Sequence, residues 1–291
     1  MNHSRRQILS MLAAATAGAT SSAFAQAPQS KFQEPVFRIA ANNSLTPATH
    51  PLDEALRIAH EGLQEIRTNI SDYTATLVKR ELVGNTVGEY EYMFIKVRNR
   101  RVEDGRVVVP FSVYLAFLKP ATVKGREVIY VEQQNDNKMV AHEGGFKGRF
   151  LPTVWLKPEG AFAMRGQKYP LTEIGIENLV LKLIERGEQD RQHKDVKVEF
   201  RKNAKINGRD CSVIQVTHPE YRPEFDFSLG QIFIDDQMNI PVRYVAYGWP
   251  KTPGQKPEIN EEYTYLNVKL NVGLTDADFD PNNPNYSFYS K

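Results

Sequence analysis

The sequence predicts an α+β chain: a large curved antiparallel sheet of about ten strands, covered by two or more helices. Two segments, following Pro51 and Thr172, repeat apolar residues at helical spacing, while ten others alternate with a period of two. The order of these segments, helix, five strands, helix, five strands, leaves more apolar sheet than two helices cover. The uncovered remainder implies a pocket or a partner surface.

Residues 1–25 read as a cleavable signal peptide. Arg5 and Arg6 precede a mild apolar stretch from Ile8 to Thr20, too short to span a bilayer, and Ala23-Phe24-Ala25 offers the small residues a signal peptidase accepts. Ser4-Arg5-Arg6-Gln7-Ile8-Leu9 resembles the twin-arginine export motif, with Ile8 where phenylalanine is commoner. A general secretory signal is the alternative, and both routes lead to the periplasm or the exterior. No cysteine follows the cleavage site to carry a lipid anchor.

Removing Arg5 and Arg6 takes the basic count from 37 to 35, equal to the 35 acids, so the mature chain is neutral. Neutrality speaks against nucleic acid as a partner. Cys211 is the only cysteine, which excludes an intramolecular disulfide and cysteine-built zinc sites. No later apolar run reaches membrane-spanning length, so no integral membrane segment is expected after cleavage.

Residues 26–48, rich in Gln, Asn, Ala, Ser and Pro, read as a flexible leader, 49–279 as a single domain and 280–291 as a tail. In the first helix Leu52, Leu56, Ala59, Leu63 and Ile66 share a face, and Asp53 and Glu54 suit its positive end. Strands are expected at 73–82, 89–98, 111–119, 127–133 and 138–142. The second changes polarity partway along each face, which predicts a strand passing from one cover to another on a curved sheet. Residues 111–118 are apolar on both faces, so that strand should be central. Between Gly144 and Thr172 a loop-like stretch carries Phe146, Phe150, Trp155, Phe162 and Tyr169, an unusual aromatic load for a solvated loop. The second helix places Ile176, Leu179, Val180, Leu183 and Ile184 on one face, with Gly187 as its stop. Strands follow at 196–201, 211–217, 225–234, 242–247 and 262–270.

Several short patterns, in this order, resemble the bacterial lipoprotein carriers and, more narrowly, the secreted family of domain of unknown function 1571. They are Phe117-Leu118-Lys119-Pro120, Asn135-Asp136-Asn137-Lys138, Ile232-Phe233-Ile234-Asp235 with Ile240-Pro241-Val242-Arg243, and the stretch from Asn267 to Phe279. The resemblance covers roughly residues 52–279 and implies a half-barrel, an incomplete β-barrel whose apolar concave face lies beneath lid helices. In the carriers an arginine at the strand end helps fasten the lid. Here Lys119 stands at that position, without the guanidinium fork.

The chemistry-bearing residues point away from catalysis. In His142-Glu143-Gly144-Gly145-Phe146 a phenylalanine stands where a zinc-protease motif needs its second histidine, and two glycines oppose a helix. Cys211 reads as a small buried hydrophobe, and Asp235-Asp236 as a solvated hairpin rather than an acid–base pair. Lys96, Arg98, Arg100, Arg101 and Arg106 form a basic cluster at a strand end, interrupted by Glu103 and Asp104. No catalytic residue, metal or cofactor is expected.

Tyr73, Leu77, Tyr92, Phe94, Leu115 and Phe117 are the candidate wall of a ligand-facing concavity, with Lys119 at its edge; the same alternation also suits plain core. The expected function is non-enzymatic binding of a hydrophobic or lipidic ligand in the envelope. The alternatives are an envelope sensor or scaffold that binds another protein through the sheet, and a hydrolase with a dispersed site.

Overall fold

A computed structural model describes residues 38–39, 50–148, 150–252 and 254–289. The expected signal peptide, and the leader apart from Arg38 and Ile39, lie outside the described residues.

Strand β1 (Arg38–Ile39) precedes helix α1 (Asp53–Asn69), which leads into β2 (Asp72–Val83), β3 (Thr86–Val87) and β4 (Glu91–Arg98). A small separate hairpin of β5 (Arg101–Glu103) and β6 (Arg106–Val109) follows, then β7 (Ser112–Lys119), β8 (Glu127–Val131) and β9 (Met139–His142). The single-turn α2 (Gly145–Gly148) and β10 (Val154–Leu156) lead to helix α3 (Ile176–Asp190). The second block is β11 (Lys197–Ile206), β12 (Arg209–Thr217), β13 (Leu229–Asp235), β14 (Pro241–Tyr247) and β15 (Ile259–Leu270).

The main sheet runs β1-β11-β12-β13-β14-β15-β2-β4-β7-β8-β9-β10, with β3 added to β2. All its pairings are antiparallel, and among the described residues no pair joins β1 to β10, so the barrel stays open. The first long strand and the last strand pair through Leu77 opposite Tyr265, which merges the two strand blocks into one sheet. The α+β chain with one large antiparallel sheet expected from periodicity, left open as the half-barrel resemblance implies, is therefore the fold. The extra strands beyond about ten are short ones, β1, β3 and β10, whose length gives alternation too little room to register.

The period of two sends alternate side chains to one face. Ala75, Ile95, Leu115 and Val128 lie in register across β2, β4, β7 and β8, and Leu77, Met93 and Phe117 form a neighbouring row. These rows join Leu63 and Ile66 of α1 and Ile176, Val180 and Ile184 of α3 in the main core. Both helices thus cover the concave face.

The opposite face of β4, β7 and β8 is covered by the chain's C-terminal segment. Phe279 and Phe288 are buried against Tyr114, Ile129, Val131 and Val140, and the Tyr286 ring stacks on Tyr114 at 4.2 Å. The stretch expected to be a tail after Phe279 thus contributes buried aromatics to the domain. Strand β7 is central and covered on both sides, as its two apolar faces require.

Four expectations change. The polarity change along β4 does not mark a strand passing between covers: Met93, Ile95 and Val97 all face the core. On the outer face Lys96 and Arg98 meet Asp278 and Asp276 of the C-terminal segment, each at 2.7 Å. Gly187 does not stop the second helix, which continues to Asp190. It sits where α1 and α3 cross, and a Cβ there would come within 2.8 Å of Leu56 Cδ2. A glycine inside the helix costs about 1 kcal/mol of propensity and admits the close helix contact. Finally, Gly145 opens a turn of helix despite the glycines, and the strand expected from 225 begins at Leu229. Phe225 and Phe227 instead pack around the His218 ring ahead of the strand.

Gly187→Val overfills the α1–α3 crossing. It should destabilise the fold by about 1–3 kcal/mol, read from the midpoint of urea unfolding, while an unchanged midpoint would mean the helices can separate without cost.

Candidate ligand-binding cavity

Helix α3 begins without a side-chain cap, because Gly175 precedes it at φ 114°, a conformation that only glycine adopts without strain. The sheet supplies a partner. The Ile176 N–H donates to the Tyr73 hydroxyl at 2.9 Å, and the Tyr265 hydroxyl lies near the Gly175 backbone, which offsets part of the effect of burial on its pKa. Both rings stand on the concave face, paired edge to face at 6.5 Å between centroids. Burial, in both cases the main cause, raises the two phenols above the ordinary tyrosine value and keeps them neutral.

The far end of α3 is held as well. Asp190, buried, lies 3.1 Å from His218 Nε2, while His218 Nδ1 donates to the Phe227 carbonyl at 2.8 Å. Between these two tethers the helix and residues 151–175 roof a cavity of about 1310 Å³ above the sheet. Ordinary small-molecule sites occupy about 300–1,000 Å³.

The lining is graded. Against β4, β7, β8, β9 and β10 it is mainly apolar: Met93, Leu115, Phe117, Val128, Met139, Ala141 and Leu156, faced from the roof by Leu171 and Leu179, with His142 and the Arg126–Glu143 ion pair at the strand ends. Towards β2, β14 and β15 it becomes polar. Glu81 and Glu261 stand opposite each other across β2 and β15, both buried. Two like charges so placed repel, and the surrounding donors offset that. Glu81 accepts from the Tyr263 hydroxyl at 2.6 Å and the Lys168 N–H at 2.9 Å, with the Lys79 ammonium 3.4 Å away. Glu261 pairs with the Lys168 ammonium at 2.9 Å. Burial first, then the nearby Glu261, with Glu81 adding to it at Tyr169 and Tyr263, raises the Tyr169, Tyr244 and Tyr263 phenols. The network is charge-compensated, and its carboxylate oxygens serve as acceptors.

The seven residues expected on one wall divide between two faces. Leu77, Leu115 and Phe117 line the cavity. Tyr73 is fully buried beneath the start of α3, where it fastens the roof. Tyr92 and Phe94 point the other way, because they alternate with Met93 along β4. Phe94 packs in the cluster under the C-terminal segment, and the Lys119 ammonium lies 5.5 Å over the Tyr92 ring on that outer side. Grouping Tyr92 and Phe94 with Leu77 followed aromaticity where the period of two required Met93. Sequence reading also missed Glu81, Glu261 and Tyr263. Their signal was a polar interruption at inward positions of otherwise apolar strands.

Elsewhere, Cys211 is buried inside β12, and burial, aided by Asp235, pushes its thiol up to about 11, which leaves it unreactive at neutral pH. Asp235 is not solvated as expected. It is fully buried; burial raises its pKa, but the Arg209 guanidinium and the N–H groups of Gln237 and Met238 outweigh that and hold it below the usual carboxylate range. Asp236 is exposed and accepts from the Ser212 hydroxyl. His142 ends β9 with Nδ1 3.1 Å from the Thr153 hydroxyl. Among the described residues no group of three His, Cys, Asp or Glu is placed to hold a metal ion. In the basic cluster Lys96, Arg98 and Arg100 are paired with acids, and Arg101 and Arg106 are exposed on the β5–β6 hairpin.

Tyr73→Phe strands the buried Ile176 N–H. It should cost about 1–3 kcal/mol in unfolding free energy and speed amide exchange in the first turn of α3 more than in its last. Uniform exchange along α3 would show that the hydroxyl does not fasten the roof.

No curated protein matches the sequence. Solved structures are similar to the chain, among them the following three. One is a DUF1329 family protein from Desulfovibrio piger, 14% identical over 80% of this chain and 98% of that one, with a TM-score of 0.38. Another is a LolA superfamily protein from Nitrosomonas europaea, 10% identical over 80% and 98%, with a TM-score of 0.30. The lipoprotein LppX of Mycobacterium tuberculosis is 12% identical over 78% and 100%, with a TM-score of 0.40. These likenesses concern the fold alone. Residues 70–288 match the family model described as a protein of unknown function, DUF1571, and the chain belongs to that family.

Proposed function

We propose that this protein is a non-enzymatic envelope protein that holds an amphiphilic, lipid-class ligand beneath α3. The observation that carries the reading is the graded cavity of about 1310 Å³. Its apolar part suits acyl or isoprenoid chains, whose transfer from water contributes about 0.8 kcal/mol per buried methylene. Its polar end suits a head group that exchanges hydrogen bonds with Glu81, Glu261 and the three tyrosines.

Catalysis is not supported by this geometry. Glu81 is engaged by the Tyr263 hydroxyl and the Lys168 N–H, and Glu261 is paired with the Lys168 ammonium. A general base needs a free lone pair aimed at the substrate. This reading goes with the export expected from residues 1–25, by a twin-arginine or a general secretory route, to the periplasm or the exterior.

Mature protein purified without detergent should carry co-purifying lipid in native mass spectrometry and take up a fluorescent fatty acid. Ala141→Trp, which fills the apolar end from a half-exposed strand position, should weaken uptake about tenfold or more with little change in melting. Protein that is empty after repeated preparations and takes up no probe would refute the reading.

A further inference from the structure

The aromatic load between β9 and α3 is only partly used by the cavity. Phe150 and Phe162 are each 73% exposed, and Leu151, Val154 and Trp155 are 47%, 40% and 40% exposed. Leu151, Val154 and Phe162 also line the cavity, so one apolar surface runs from its interior out over its rim. Large side chains concentrated in this way mark an interaction site.

Two observations identify the partner. Residues 144–170 carry five basic side chains and one acid, in a chain whose total net charge is only +2. Lys157 and Arg165 are exposed there, and the Arg165 guanidinium lies 5.6 Å over the Phe162 ring. Projecting aromatics beside lysine and arginine form the composition that partitions to the headgroup region of anionic bilayers, where rings enter the interface and cations meet lipid phosphates. The continuity with the cavity adds a reason: a mouth seated on a bilayer lets an apolar chain pass between lipid and protein without crossing water.

We propose that the rim formed by Leu151, Val154, Trp155 and Phe162, with Phe150, docks on the surface of an anionic lipid bilayer with the cavity mouth facing it. No helix among the described residues is long and apolar enough to cross a membrane, and docking of this kind needs none. The attachment is reversible and interfacial. It stands whether or not the cavity holds a lipid.

Flotation of the mature protein with protein-free vesicles tests this. Vesicles of phosphatidylcholine with phosphatidylglycerol should carry the protein upward, more than phosphatidylcholine alone, and added salt should weaken the binding. The Phe150→Ser, Phe162→Ser double variant, altered only at exposed positions, should bind at least about tenfold more weakly with an unchanged melting temperature. Wild-type binding that persists while fatty-acid uptake fails would support the docking and refute the cavity reading alone. Failure to float with anionic vesicles, equal flotation of the double variant, or binding only to envelope vesicles that retain their proteins would overturn the proposal, the last by assigning the patch to a protein partner.

Discussion

The 2.9 Å hydrogen bond from the Ile176 N–H to the Tyr73 hydroxyl is the contact on which the concave side is organised. An α-helix begins with unsatisfied N–H groups, and α3 has no capping side chain of its own. Tyr73 of the sheet takes that role, so the helix start is fixed at the height of a tyrosine ring above the sheet. Asp190 against His218 fixes the other end. Ile176, Val180 and Ile184 pack into the core, while Leu179 and Lys182 look onto the cavity. The void is therefore a consequence of where the helix is tied.

The remaining cover closes the sheet around this void. On the side of β12–β14, Leu52 and the α1 residue Leu56 pack on Ile214, Val216, Phe227 and Tyr244. Gly187 lets α1 lie close against α3. On the outer face the C-terminal segment, held by Lys96–Asp278 and Arg98–Asp276, buries β4, β7 and β8 from behind. Ion pairs of this kind contribute little stability when exposed; here they align a segment whose Phe279 and Phe288 supply the burial.

Periodicity made most of the sheet and both long helices legible, because a buried face imposes its repeat on every long element. Elements of two to four residues, β1, β3, β10 and α2, carry no such repeat. The cavity wall was legible at Leu77, Leu115 and Phe117, where inward position and apolar character coincide. It was misread at Tyr92 and Phe94, which face outward, Phe94 under a segment from the far end of the chain. Gly187 was read by its commonest local role, whereas its cause is the proximity of Leu56, 131 positions away in sequence. The Glu81–Glu261 pair was invisible for the same reason: strand register, not sequence spacing, brings it together.

The account rests on the claim that the space between α3 and the β4–β9 wall is where an apolar chain resides. A crystal structure with a fatty acid brominated at its terminal carbon locates that chain directly. The anomalous bromine signal should lie among Leu115, Phe117, Val128 and Leu179. A bromine found elsewhere on the protein, or none at saturating ligand, would contradict it.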